Sequence, residues 1–348
     1  MATLTENLAS SLVVTTMNNY STKLRDTYFK KFSFLGRFCK AMRDEYKYTG
    51  KKFGKFFDGG RSYLLPITAN ENTTMAGYSN IDKIDTTHND SEFENAQYFP
   101  RYVAGSVTLS DEDMDQNSGK AKLMKLAQKK MNNAHKSACK VLTQHLTADA
   151  LASSKNFAGI PQYIVTTAEA SQTSGTVGGI TRNYNSGVGP WFNRVQTGGG
   201  SSFGTGNNSA GITKLRTLFN DCSGGSNGDN PDLLVSNSDS HELYETSLTT
   251  QERYVKDANK AIHDPGISAN ALLFKGVEYI WDSAFPALRI YMINTEYLYI
   301  IWDPKKHFLF HPPQRPTDQL ASVSLFVTKG QLVCEGLNRQ GVFHSFTA

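Results

Sequence analysis

The stretch SGKAKLMKLAQKKMNNAHKSACKVLTQHL, residues 118–146, decides how the chain is read. Leu123, Leu126, Ala127, Met131, Ala134, Ala138, Val141, Leu142 and Leu146 recur three and four apart, while Lys122, Lys125, Lys129, Lys130 and Lys136 occupy other faces. That is the period of an amphipathic helix. Ser118 suits an N-cap, and no Gly or Pro follows Lys120 until Gly159. The pattern predicts a helix of roughly 30 residues, about 45 Å long at the standard rise. Ordinary globular helices are shorter, so this one predicts a spine for an elongated molecule.

Upstream, Gly54 to Tyr102 reads as a long extended excursion. Asp58-Gly59-Gly60 is a turn signal, and Tyr63-Leu64-Leu65-Pro66-Ile67 is a strand whose proline belongs on an edge or bulge. Tyr78, Ile81 and Ile84 follow a polar stretch, and Phe93 to Val107 brings a second strand-like run back. A hairpin this long with so few large apolar residues needs another surface to lie on. Ser110 to Asn117 is acidic and reads as the solvated start of a helix.

Downstream, Thr166 to Ser209 is rich in Gly, Ser, Thr and Asn, including Gly198-Gly199-Gly200-Ser201-Ser202, and reads as surface loops. Ile212, Leu215, Leu218 and Phe219 predict a helix that stops at Ser223-Gly224-Gly225. Asp232 to Ser236 reads as a buried strand, Asp239 to Thr246 as a helix, and Ala271 to Tyr279 and Leu288 to Ile301 as strands. After Pro312, Pro313 and Pro316 come strands at Ser322 to Val327 and Gln331 to Phe346, broken at Lys329-Gly330. Helices and strands mixed in this order indicate an α+β fold.

The chain has 348 residues, 39% hydrophobic and 20% charged, with 28 Gly, 16 Tyr, 20 Phe and 11 Pro. That length exceeds one ordinary core, and the composition argues against wholesale disorder and against a membrane protein. Cys39, Cys139, Cys222 and Cys334 contain no CxxC pair, so the expectation is reduced thiols in an intracellular protein. The start lacks a basic leader region and is not expected to be a signal peptide.

The formal net charge of +4 is unevenly placed. From Lys23 to Lys55 eleven basic residues, among them Lys23, Arg25, Lys30, Lys31, Arg37, Lys40 and Arg43, face only Asp26, Asp44 and Glu45. The segment therefore carries +8 and the rest of the chain −4. Leu24, Tyr28, Phe32, Leu35, Cys39 and Met42 give it an apolar seam at helical spacing. Three readings suit such a segment: a docked helix with a solvated lysine face, a polyanion contact held by counterion release, or a membrane-surface helix.

Catalytic signatures are near misses. His241-Glu242 is followed by Leu243, Tyr244 and Glu245, so HExxH fails at its second histidine and a helix-capping role is the better reading. Asp111, Asp113 and Asp115 resemble a calcium loop, but Gln116 and Lys122 stand where Gly and Glu are required. The Gly-rich stretch contains neither GxxxxGK[ST] nor GxGxxG, and Gly206 to Gly211 misses a nucleophile elbow by one residue. His307 and His311 precede Pro312-Pro313 and are not expected to share a metal. The residues thus point to no catalytic, metal or cofactor group, whereas a basic arm, an uncovered hairpin and an overlong helix all need partners, most simply copies of the same chain.

The order of segments resembles the major capsid proteins of tailed bacteriophages, which share the Hong Kong 97 fold. Phe157-Ala158-Gly159-Ile160 resembles that family's turn leaving the spine helix, and Gly178-Gly179-Ile180 with Trp191-Phe192-Asn193 resembles its entry to the axial domain. Pro231 to Ser236, Phe274-Lys275-Gly276-Val277 with Asp282 and Pro286, Asn294 to Leu298, and Gly330 to Cys334 also fit. The resemblance implies an N-terminal arm (1–53), an extended β-hairpin loop (54–106), a peripheral domain with the spine helix (107–165), an axial domain (166–312) and C-terminal strands returning to the peripheral domain (313–348). It further implies hexamers and pentamers closing an icosahedral virion shell around double-stranded DNA, assembled in the host cytoplasm. Expected partners are a separate scaffolding protein, a portal, a decoration protein and non-specific packaged DNA, with the arm's basic residues against neighbours or DNA. The competing class is an α+β enzyme or glycan-binding protein with its site in the Gly/Asn-rich loops 166–209.

Overall fold

The computed structural model describes residues 34–38, 55–57, 59–70, 72, 74–84, 86, 93–116, 120–149, 153–183, 190–199, 203, 210–225, 228–248 and 272–346. Strands β1 (Lys55–Phe56), β2 (Tyr63–Thr68), β3 (Phe93–Tyr98) and β4 (Arg101–Ser110) precede a short helix, Asp111–Gln116, and the spine helix, Lys120–Thr147. Then come a helical turn at Ile160–Tyr163, β5 (Thr176–Val177), β6 (Ile180–Thr181), β7 (Arg194–Thr197) and the helix Ala210–Cys222. Next are β8 (Leu233–Ser236), the helix Ser238–Leu248, β9 (Leu272–Phe274), β10 (Val277–Trp281), β11 (Arg289–Ile293) and β12 (Leu298–Trp302). β13 (Leu309–Phe310), β14 (Ala321–Cys334) and β15 (Gly341–His344) complete the chain. The residues divide into two compact units.

The larger unit has described residues in Phe32–Val103, Val141–His307 and Thr328–Ala348. Its main feature is a six-stranded sheet in the order β7-β15-β11-β8-β10-β9. β8 lies at its centre, parallel to β10 and antiparallel to β11. All four β8 residues are buried, as a central strand covered on both faces requires. Leu234, Tyr279, Ile290, Met292 and Phe343 point to one face, where Leu215, Leu218, Phe219 and Cys222 of one helix and Tyr244 of the other close the core. Gly341 permits this closure, because a Cβ there would sit 2.7 Å from the Cys222 sulfur. In the same unit β12 pairs with β1 and with the Gly330–Cys334 end of β14.

The smaller unit has described residues in Ala104–Lys140 and Phe308–Val327. Phe326 of β14 packs on Phe310, Phe308 and the spine residue His135. The Ser110 hydroxyl accepts the Asp113 N–H at 3.1 Å and caps the helix Asp111–Gln116. Lys130 ties that helix to the spine through Asp113 at 2.9 Å and the Thr108 carbonyl at 3.1 Å. The acidic segment is thus itself helical over Asp111–Gln116.

Four readings of the sequence need correction. Lys329-Gly330 does not break a strand: β14 runs through it, and a Cβ on Gly330 would meet the Ile301 carbonyl at 2.5 Å and the Trp302 ring at 2.7 Å. The glycine serves close approach, and the chain leaves the strand only after Cys334. The segment read as one strand from Ala271 to Tyr279 is, over its described residues from Leu272, a hairpin turned at Lys275-Gly276, both with positive φ. Leu288 to Ile301 divides between two sheets, β11 in one and β12 in the other. Gln340 binds the Asn294 backbone at that crossing, and the Asp232 carboxylate takes the Thr295 N–H. Finally, Thr166 to Ser209 is more than surface loops, since Gln172, Val177, Ile180, Arg182, Trp191, Phe192, Asn193 and Phe203 are buried.

Candidate functional site

Of the basic residues expected to form an inter-subunit or DNA-facing arm, Lys23, Arg25, Lys30, Lys31, Lys40 and Arg43 lie outside the described residues. Arg37 lies on a helical segment, residues 34–38, with Nε 3.5 Å from the Glu278 carboxylate. The buried side of that segment is Phe34, Leu35 and Phe38. Of the apolar seam read from the sequence, Leu35 is buried there, while Leu24, Tyr28, Phe32, Cys39 and Met42 lie outside the described residues.

The most partner-hungry surface is the β2–β3 hairpin. The two strands pair only with each other, Leu65 opposite Ala96 and Pro66 opposite Asn95, so the proline sits on an edge as expected. Leu65, Ile67, Ala96 and Tyr98 turn inward and are buried. Leu64 and Phe93 point outward, and Met75 at 81% exposure, Ile81 at 93% and Ile84 project from the excursion between the strands. Local bonds shape that excursion: Asn72 accepts from Thr74, the Tyr78 hydroxyl donates to the Thr74 carbonyl, and Asp82 accepts the Ser79 N–H.

The base of the hairpin is firmly seated. The Tyr98 hydroxyl donates to the Cys334 carbonyl at 2.7 Å, and burial pushes its phenol far above the usual range. The Gln97 N–H reaches the Gly178 carbonyl at 2.6 Å. Gly178 has φ +63°, and a Cβ there would strike the Tyr98 ring at 2.9 Å, which explains a glycine at this turn. Nearby, the Tyr299 hydroxyl donates to Glu335, and burial together with that carboxylate drives the Tyr299 phenol well up.

The region 166–209, where an enzyme or glycan site was the alternative, holds a buried polar knot. Arg182 donates to the carbonyls of Gln162 at 3.0 Å and Tyr163 at 2.7 Å and to Asn193 Oδ1 at 3.1 Å. Gln172 exchanges bonds with the Asn193 backbone, and Asn193 does so with the Val165 backbone. Burial lowers the Arg182 guanidinium to about 10. These groups satisfy one another, which suits a structural junction and leaves them little capacity to bind a substrate. No run of titratable residues marks the knot in the sequence; Trp191-Phe192-Asn193 inside a Gly/Ser-rich stretch is its only visible trace.

A groove of about 440 Å³ lies beside β2, lined among others by Leu65, Pro66, Trp191, Tyr297, Glu335 and Arg339. Its charged groups are engaged, Glu335 by Tyr299 and Arg339 by Asp229 at 2.5 Å and by the Tyr297 ring at 4.1 Å. Among the described residues no group of three or more His, Cys, Asp or Glu is placed to hold a metal. None of their helices is long and apolar enough to cross a membrane. His241 does not cap its helix with its side chain. It is buried against the Tyr279 ring at 4.9 Å, and burial lowers its proton affinity.

Several solved structures share this fold over nearly their whole length. The capsid asymmetric unit of Cyanophage A-1(L) matches with a TM-score of 0.62 at 15% identity, over 95% of this chain and 97% of that one. The capsid of a native GTA particle matches with a TM-score of 0.56 at 10% identity, over 95% and 96%. An encapsulin, the holo-SrpI complex from Synechococcus elongatus PCC 7942, matches with a TM-score of 0.54 at 8% identity, over 96% and 95%. No protein-family model matches the chain, and no curated protein does. At these identities the likeness is one of fold, and the chain has the α+β Hong Kong 97 fold.

Proposed function

We propose that this chain is a structural subunit, the major capsid protein of a tailed bacteriophage, which assembles in many copies into a closed icosahedral shell around double-stranded DNA. The observation that carries the reading is the near-complete two-way coverage of the Cyanophage A-1(L) capsid subunit. The apolar hairpin supports it, because Met75, Ile81 and Phe93 are exposed among the described residues and a neighbouring copy would bury them. The subunit acts by geometry and performs no chemistry. Hexamers and pentamers form the shell, with a scaffolding protein, a portal and a decoration protein as its partners in the host cytoplasm and virion.

Electron microscopy of the expressed full chain tests this. Closed particles of repeated copies are the expected result, and a strictly monomeric species at high concentration overturns the proposal. Particles recovered from infected cells should carry nuclease-protected DNA. Particles consistently free of nucleic acid would overturn the DNA-enclosing part of the proposal.

A further inference from the structure

An open sheet that covers one face with helices must also cover the other. In the six-stranded sheet the helices Ala210–Cys222 and Ser238–Leu248 close the first face. Alternation along β11 puts Tyr291 opposite Ile290 and Met292, and alternation along β10 puts Glu278 opposite Tyr279, so Tyr291 and Glu278 belong to the second face. Residues 34–38 sit there. Phe34 and Phe38 are fully buried with ring centroids 5.3 Å apart. Phe34 meets Phe285 edge-on at 4.9 Å, and Phe285 lies 5.6 Å from Tyr291. Arg37, on the same turn, points Nε at Glu278 with only 12% of its side chain exposed. Its Nη2 is buried with no hydrogen-bond partner among the described residues.

We propose that residues 34–38 form a clasp that seats the basic N-terminal arm on the subunit's own six-stranded sheet, with Phe34 and Phe38 as the seat and Arg37–Glu278 as the catch. Arg37 is then a positioning residue used within the subunit, and contact with other copies or with a polyanion falls to the arm's other basic residues. The segment is also part of the sheet's second core layer. Deleting the chain through Lys55 would uncover Phe285 and Tyr291, so such a truncation damages the axial lobe as well as assembly. The clasp is a property of one chain and stands whether or not that chain forms a shell.

The seat and the catch separate by their chemistry. A partly buried ion pair weakens with salt and with removal of either charge, whereas the aromatic seat responds to lost volume. The test is hydrogen exchange at the backbone amides of residues 34–38 in the full chain. Arg37→Glu and Glu278→Arg should each speed exchange about fivefold, and the double reversal should return to within about twofold of the parent. Phe38→Ala should speed it at least about thirtyfold; if that variant fails to fold, Phe38→Leu should still give a smaller acceleration. An equimolar mixture of the two charge variants should show no rescue. Three results overturn the clasp: unprotected amides in the parent, single reversals that exchange like the parent, or a double reversal no slower than the singles. Rescue in the mixture would mean that the seat belongs to a neighbouring copy and would overturn seating within one chain.

Discussion

The six-stranded sheet and the β2–β3 hairpin draw on the same residue types and put them to opposite use. In the sheet, Ile290, Met292 and Phe343 have no exposed surface, and helices or the clasp cover what the strands present. In the hairpin, Ile81, Met75 and Phe93 stand in solvent on an element whose base is tied down by Tyr98, Gln97 and Gly178. One region closes its own core, and the other exports apolar surface from a fixed base. A subunit that folds alone yet joins its copies needs both.

Substitutions should separate the two regions sharply. Ile290→Ala removes a fully buried side chain from the sheet and should cost about 2–5 kcal/mol in a denaturant titration. A loss below the level of ordinary surface changes would mean that the sheet is not the core. Gly159→Ala should cost about 1–3 kcal/mol, because the new Cβ falls 2.5 Å from the Ala148 carbonyl and 2.9 Å from that of His145, where the chain turns back on the spine. Tyr98→Phe removes the hydroxyl that ties the hairpin base to Cys334 and should cost about 1 kcal/mol.

A pH titration bears on the sheet alone. Burial lowers the proton affinity of His241 below its value of 6.5 in an open chain, so the unfolded state binds the extra proton more readily. The stability linked to this residue is therefore complete above about pH 6.5 and is lost as the pH falls through and below that value. Glu245 and Glu242 on its own helix and the Tyr279 backbone oppose the shift, and the Tyr279 ring packs against it from β10. Replacing His241 with Asn should flatten the acid side of the melting-temperature profile, and an unchanged profile would assign the acid loss to other groups. The smallest stability effect belongs to the hairpin: Ile81→Ser should stay within about 0.5 kcal/mol of the parent while reducing the yield of assembled particles.

How much of this was legible in the sequence depended on whether a signal was local. The spine helix, the helix ending at Cys222 and the buried strand around Val235 declared themselves by period and punctuation within one window. Gly330 was misread as a break because its real reason, the Trp302 ring, lies 28 residues earlier and meets it only across β12–β14. The burial of Phe34 and Phe38 beside Leu35 was not legible locally, because the ring that Phe34 meets, Phe285, lies some 250 residues later in the chain. The Arg182 knot left almost no trace, since its acceptors are backbone carbonyls and amides that any sequence supplies.

In the proposed shell, the hairpin's exposed residues are covered by a second copy. That cover is tested most directly by placing a cysteine at Ile81 and measuring its labelling rate by a thiol reagent in dispersed subunits and in assembled particles. The prediction is fast labelling in the subunit, consistent with 93% exposure of this position, and strong protection in the particle. Equal labelling in both states would contradict it.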